Sequence, residues 1–399
     1  MISLQEAHER IEKTVEGLPP KNTQLSGVAG CLLAEEIVAP INVPDFPSSA
    51  MDGIAIRIDD LRGDGPWRLA VQKVIEAGSA DQDALPPAKA VKIMTGAPLP
   101  DGADTVIPVE EVCFESGYVI LEDRPTKGQY VRPLGNDILK GRVLLKKGMV
   151  LSPIDVGILA SLGLSAVKVV PRPRIALIST GSEIVKPGGK LRRGQIYDSN
   201  YAFLRSMLIH DGHRLSEQKR MIEDEPGIIS RALQESREKN DLVVTTGAVS
   251  AGDFDFIPRE IERLGGEIIF HKVRIKPGKP ILLARMDKCW LVGLPGNPVS
   301  AVVCYHLFAR RVISRLMGIP YKPKSLMARL GGDLVVKGNR RMIIGAEFEK
   351  TPDGIVAHPA TRQSSGRLSS IKGIDGFIQL EGGSRTVSIG SEVYGEWLY

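Results

Sequence analysis

The sequence is poor in the features that mark several common protein classes. Its four cysteines, Cys31, Cys113, Cys289 and Cys304, lie far apart and form no C-x-x-C pair. That spacing argues against a zinc ribbon or a disulfide framework and fits a reducing cytoplasm. No apolar run approaches the length of a membrane span, so the chain reads as soluble, with no membrane partner. Its first residues, "MISLQEAHERIEKTVEGLP", carry charge throughout and read as an amphipathic helix, not as a secretory leader. The basic excess is slight, 52 Lys and Arg against 47 Asp and Glu, a net charge of +5. Spread along the whole chain, it gives no nucleic-acid footprint and leaves room for a small anionic ligand. The six histidines, His8, His210, His213, His271, His306 and His358, have no metal-ligand spacing. There is no Walker A sequence, and "TGSEI" lacks the G-x-S-x-G frame of a hydrolase nucleophile. A covalent nucleophile is therefore disfavoured. No internal repeat or low-complexity tract occurs.

What is present is organisation. A length of 399 residues exceeds what one hydrophobic core usually supports, so two to four domains are expected. Residues 1 to about 45 read as helical and then extended, ending where Pro40, Pro44 and Pro47 stop any helix. From there to about 137, short β-type runs broken by Gly and Pro predict a compact β-rich unit. The segment 151–170 has the spacing of a helix followed by a strand. Between 174 and about 318, strand-like runs ("RIALIST", "RLSEQKRMI", "DLVVTT", "EIIFHKV", "CWLVGL") alternate with helical ones. Such alternation predicts a largely parallel sheet covered by helices, with ligands beyond the carboxyl ends of its strands. The tail from about 321 returns to β-type runs with glycine turns, a small barrel or sandwich.

Three loops follow strands of the α/β region: "GSEIV", "GAVSAGDFDF" and "GLPGNPVSA". Their small residues let a ligand approach the backbone, and free amides opening the next helix suit a phosphate. Glu183 sits in the first loop, and Asp253 and Asp255 in the second, so carboxylates from neighbouring strands would converge on one crevice. Carboxylates beside phosphate-binding amides suggest Mg²⁺ bridging to phosphate oxygens. "KVRIKPGKP" adds Lys272, Arg274, Lys276 and Lys279, positive charge for a multiply charged anion. Blander readings stand beside these: tight turns, solvated lysines, and Asp255 as the cap of a helix starting at Phe256.

The motifs "SSAMDGIAIR", "KIMTGAPLPDGADTVIPVEE", "RPLGNDILKG", "IALISTGSEIV", "GQIYDSN", "VRIKPGKP" and "GLPGNPVSA" occur in the order and spacing of the molybdopterin molybdenumtransferases of the MoeA type. The resemblance covers nearly the whole chain and is weakest after residue 321. It implies a multidomain α/β protein: a discontinuous helical linker domain (1–45 and 138–173), a β-rich insertion domain (46–137), a molybdopterin-binding α/β domain with a parallel sheet (174–320) and a C-terminal β-barrel (321–399). It implies insertion of molybdenum from molybdate into adenylylated molybdopterin, releasing AMP with the help of Mg²⁺, by a homodimer whose active cleft lies between subunits. A pterin adenylyltransferase and cofactor-receiving enzymes are the implied protein partners.

Carried over by motif, Asp52, Thr95 and Asp137 would line the cleft from the insertion side, and Glu183, Asp224 and Asp255 from the α/β side. Glu183 and Asp255 are the implied metal ligands. Ser182, Gly247, Ser250, Lys272, Lys276 and Lys279 would bind substrate, the lysines holding phosphate or molybdate. Pro295 and Pro298 would shape the "GLPGNP" turn, and Ser365 resembles a family serine of the C-terminal domain. Three positions depart from the family pattern: Ala248 in place of a second glycine, Ser48 in place of asparagine, and Ile344 in place of a basic residue before Gly345. The competing functions are the preceding adenylylation step, a non-catalytic pterin-binding or scaffold protein, and an insertase that uses tungsten.

Overall fold

The computed structural model describes residues 1–80, 83–216, 221–249, 256–360 and 364–399. It divides into two compact units, Met1–Pro20 with Val170–Tyr399, and Lys21–Val169. The α-helices among the described residues are α1 (Leu4–Thr14), α2 (Pro153–Ser161), α3 (Ser199–His210), α4 (Pro226–Lys239), α5 (Phe256–Arg263), α6 (Pro298–Cys304) and α7 (Arg310–Leu316).

The unit Lys21–Val169 contains a six-stranded sheet in the order Thr105–Pro108, Gly53–Ile56, Lys89–Ile93, Trp67–Ile75, Tyr118–Leu121, Cys113–Glu115. All four residues of Gly53–Ile56 are buried, because alternate side chains feed two apolar clusters. Ile54 and Ile56 pack with Leu69, Ile107 and Leu121, while Ala55 packs with Ile75, Val91 and Val106. A third cluster, including Leu33, Ile37, Leu145, Leu159 and Val167, joins the start and the end of the unit. There α2 begins at a capping box: the Ser152 hydroxyl accepts from Asp155 N–H, the Asp155 carboxylate accepts from Ser152 N–H, and Pro153 follows at the first helical position.

The other unit is built on a second six-stranded sheet, ordered Met221–Ile222, Ile175–Thr180, Leu242–Thr246, Cys289–Leu294, Leu282–Met286, Glu267–His271. The first four strands are parallel, and Leu282–Met286 runs antiparallel to both its neighbours, Cys289–Leu294 and Glu267–His271. The parallel part answers to the predicted alternation. The strand Leu282–Met286 went unread, since it turns directly into Cys289–Leu294 through Asp287 and Lys288, with Asp287 at φ 55°. Of the predicted strand "RLSEQKRMI", Leu215 makes an isolated bridge to Ile175 and Met221–Ile222 forms the edge strand; 217–220 lie outside the described residues.

Period-2 alternation gives this sheet two apolar faces. Ile175, Leu177, Leu242, Val244 and Val292 face Leu204 and Leu208 of α3 together with α6 and α7, and Ala176, Ile178, Val243 and Leu291 face α4 and α5. On α1, Leu4, Ala7 and Ile11 form one helical stripe that joins the first face. Between α6 and α7 the chain runs through a π-helical turn, Tyr305–Ala309. There the buried His306 meets Glu396 Oε2 at 2.9 Å, and Arg310 donates to both carboxylate oxygens of Asp211 at 2.7 and 2.8 Å and to Leu398 O at 2.6 Å. Five C-terminal strands close on themselves in the order Arg341–Thr351, Gly354–Pro359, Ser325–Leu330, Glu392–Trp397, Gly376–Leu380, the last pairing back with the first. The expected barrel-or-sandwich is a barrel.

Candidate functional site

The carboxyl ends of the parallel strands open onto a cavity of about 620 Å³. Glu183, from the loop after Ile175–Thr180, and Asp224, just beyond Met221–Ile222, both line it, as do Gly247, Pro295 and Pro298. Gly247 is required by close approach: at φ 97° a Cβ would lie 2.5 Å from Thr180 O. Its successor Ala248 stands at φ 50°, the left-handed region that a glycine enters without strain. The loop continues into Ser250, Asp253 and Asp255, which lie outside the described residues.

Two residues of this cavity were not singled out from the sequence. Asp198, in the quoted "GQIYDSN", caps α3 by accepting from Tyr201 N–H at 2.9 Å. Burial raises its carboxyl above the usual aspartate range, against the lowering effect of hydrogen bonds from Tyr201 N–H and the Ser179 hydroxyl. Asn200 is also buried, and its Nδ2 donates to Thr246 Oγ1 at 2.9 Å and to Gly296 O at 2.7 Å. An Asp just before an apolar helix signals a cap; the contacts of Asn200 to residues far along the chain have no local signal.

A second cavity, about 350 Å³, is lined by Lys276, Lys279, Arg340, Ser364 and Ser365. It shares Pro280 and Asn297 with the first. Ser365 also anchors the start of α6, accepting from Val299 N–H through its carbonyl at 3.1 Å and from Asn297 Nδ2 through its hydroxyl at 3.4 Å. Ile344 lines this cavity with an apolar side chain, and Arg340 supplies the positive charge from the barrel. Lys272 lines neither cavity: its backbone sits at φ 69°, with its N–H donating to Ile281 O. Ser182 is exposed and lines neither.

In the unit Lys21–Val169, Asp52 and Thr95 form a pair. Asp52 Oδ1 accepts from both the backbone N–H and the hydroxyl of Thr95, each at 2.7 Å. These two bonds, the backbone one foremost, hold the exposed Asp52 carboxyl below its usual range, with Lys92 adding to the effect. Asp137 is exposed, and its N–H donates to Val43 O at 3.1 Å. Ser48 is buried on a two-residue strand beside Arg132.

Among the described residues, no three or more His, Cys, Asp or Glu side chains gather as a metal-holding group. Glu183 and Asp224 on one cavity are still a donor set that suits Mg²⁺, which is commonly held by one or two carboxylates plus substrate phosphates.

Comparison with known proteins adds a family context. Residues 2–163 match the family described as "MoeA N-terminal region (domain I and II)", residues 176–315 the "Probable molybdopterin binding domain", and residues 327–394 the "MoeA C-terminal region (domain IV)". A protein of Haemophilus influenzae named Molybdopterin molybdenumtransferase is 38% identical over 80% of this chain and 78% of its own length. One of the same name from Staphylococcus aureus is 32% identical over 98% of this chain and 94% of its own. The crystal structure titled as the molybdopterin biosynthesis moea protein from Pyrococcus horikosii aligns with a TM-score of 0.78 at 30% identity, covering 100% of this chain and 99% of that one.

Proposed function

The chain belongs to the molybdopterin molybdenumtransferase family, enzymes of molybdenum cofactor synthesis, and from that premise we propose that it inserts molybdenum from molybdate into adenylylated molybdopterin and releases AMP. The observation that carries this reading is the adjacency of two cavities of opposite character, one walled by Glu183, Asp198 and Asp224, the other by Lys276, Lys279 and Arg340, with Asn297 common to both. The reaction needs two ligands side by side: a nucleotide-bearing pterin and a small dianion.

The smaller cavity takes the oxyanion. Its two lysines and one arginine offset the dianion's charge, and the Ser365 hydroxyl gives it a directional donor. The larger cavity takes the pterin nucleotide, its strand-end loops lying against the phosphates. Glu183 and Asp224 would hold Mg²⁺, which would supply positive charge against the phosphoanhydride oxygens. Cleaving that bond calls for charge neutralisation and positioning more than for a side-chain nucleophile, because the attacking oxygen comes from an oxyanion or from water. Asp255 and Ser250 belong to the same proposal through their loop. Asp52, Thr95 and Asp137 are proposed as further functional groups of the reaction; Thr95 keeps Asp52 ionised and oriented.

The same premise supports a cytoplasmic homodimer that receives its substrate from a pterin adenylyltransferase and passes the product to cofactor-receiving enzymes. Exposed apolar side chains in the unit Lys21–Val169, among them Val38, Leu139, Val150 and Ile154, suit burial against a second copy. Sedimentation equilibrium tests that state.

The direct test of the reaction is AMP release from adenylylated molybdopterin with Mg²⁺, with and without molybdate, by wild type and by Glu183→Ala and Asp52→Ala. Molybdate-dependent release that both substitutions abolish supports the proposal. Pterin binding without release, under either molybdate or tungstate, leaves a binding protein instead.

A further inference from the structure

We propose that Asn200 is a positioning residue that fixes the turn separating the two cavities, and through it the placement of one substrate against the other. The proposal rests on the reading that these cavities hold the two substrates.

Asn200 spends both amide hydrogens on the far side of the cavity mouth. One goes to Thr246 Oγ1 at the end of the central strand, the other to Gly296 O in the turn before α6. The orientation of the amide is fixed by these partners. Gly296 O only accepts, and the Thr246 hydroxyl donates its own proton to Pro295 O at 3.2 Å, so both face Asn200 as acceptors. Flipping the amide would set its oxygen against both of them.

The side-chain oxygen that remains, Asn200 Oδ1, is buried with no hydrogen-bond partner among the described residues. Leaving a buried acceptor unpaired is unfavourable, so the residue is placed for its two donors. Capping of α3 does not explain it, because Asp198 already accepts from Tyr201 N–H.

What the donors hold is the segment Pro295–Gly296, and the next residue is Asn297, the wall common to both cavities. Asn297 is fastened from the other side by Ser365. Asn200 and Ser365 thus grip the turn from opposite ends. A displacement of about 1 Å between reacting groups costs on the order of a hundredfold in rate, so releasing one grip should lower kcat more than it weakens binding.

The test uses the full-length chain and two variants, with kcat and KM for AMP release measured from pH 6 to pH 8. Asn200→Leu keeps approximate volume and removes both donors; kcat should fall about tenfold or more while KM for the pterin nucleotide stays within about threefold. Asn200→Asp supplies a pH readout. When ionised, its carboxylate has no hydrogen to give and faces two acceptors; when protonated, its O–H restores one bond to Gly296 O. Burial raises the new carboxyl, and so does Asp198 beside it on the same cavity; Glu183 and Asp224, which line that cavity too, would have their charge offset by the cation they hold, and Tyr197 completes the titratable groups of the described lining. The ratio of Asn200→Asp activity to wild-type activity should therefore rise as pH falls.

A pH-independent ratio together with wild-type kcat in folded Asn200→Leu would overturn the proposal. A wild-type chain that binds AMP but releases none overturns the proposed reaction instead. In that case the melting temperature relative to wild type replaces kcat: a deficit of Asn200→Asp that shrinks as pH falls supports the tie, and a pH-independent one overturns it.

Discussion

Asp198 and Asp52 are the same side chain in opposite circumstances. Asp198 is buried at the head of α3, and desolvation pushes its carboxyl up despite two hydrogen bonds. Asp52 stands exposed on a loop of the other unit, and two donors from one threonine pull its carboxyl down. Solvent exposure decides the difference. Both accept two hydrogen bonds, but in Asp198 the bonds only partly offset a loss of hydration, whereas Asp52 keeps its hydration and gains the bonds as well. Within the α/β unit a parallel contrast separates the acid-walled cavity from the cationic one, which share Asn297 as a wall.

The sharpest way to erase that second contrast is Lys279→Glu, which puts a carboxylate into the cationic cavity. Molybdate-dependent AMP release should fall by about a hundredfold or more, read as kcat/KM at saturating Mg²⁺, with the melting temperature nearly unchanged because Lys279 is exposed.

Gly247→Ala attacks the floor of the acid-walled cavity. Its Cβ would meet Thr180 O, a backbone atom of the neighbouring strand, at 2.5 Å in a left-handed conformation. Unfolding free energy should fall by about 2–3 kcal/mol in urea titration.

Asp198→Asn sharpens the comparison with Asp52 through pH. A folded-state carboxyl raised above its unfolded value binds protons more tightly in the folded chain, so its contribution to stability is fully present below the unfolded value and is lost as pH rises through the folded one. Relative to the variant, wild type should lose stability across that window. Asp52→Asn should show the reverse: wild type gains stability as pH rises through the lowered carboxyl value and loses it in acid. Melting temperatures of the four pairings of variant and pH are the measurement.

The smallest effect belongs to Ala248→Gly. It removes left-handed strain of about 1 kcal/mol and adds unfolded-chain entropy of about 0.4–1 kcal/mol, leaving stability within about 0.5 kcal/mol of wild type.

The parallel sheet, its strand-end loops and the acids within them were legible because strand and loop alternate locally in sequence. Glu183 is legible for that reason and meets on one cavity Asp224, which only the family resemblance supplies; Ser365, from the same resemblance, meets Lys276 and Lys279 on the other. Lys272 is grouped with Lys276 and Lys279 by proximity in sequence and by the family motif, and it lines neither cavity. Asn200 was invisible because its partners lie 46 and 96 residues away, a distance across which composition and periodicity carry no information. The strand Leu282–Met286 was missed for a related reason: alternation of strand and helix predicts parallel neighbours, and a two-residue turn falls outside that pattern.

The cluster around Arg310 has a consequence for biosynthesis. Arg310 and His306 are satisfied in part by Leu398 and Glu396, among the last four residues of the sequence. The first helix, α1, packs through Leu4, Ala7 and Ile11 into a cluster that also holds Ile313 and Leu316. During translation, α1 emerges some three hundred residues before Ile313 and Leu316, which help cover its apolar stripe, and the π-helical turn stays incompletely paired until Glu396 and Leu398 have left the ribosome. Lys21–Val169, whose clusters among the described residues draw only on that span, can close long before then.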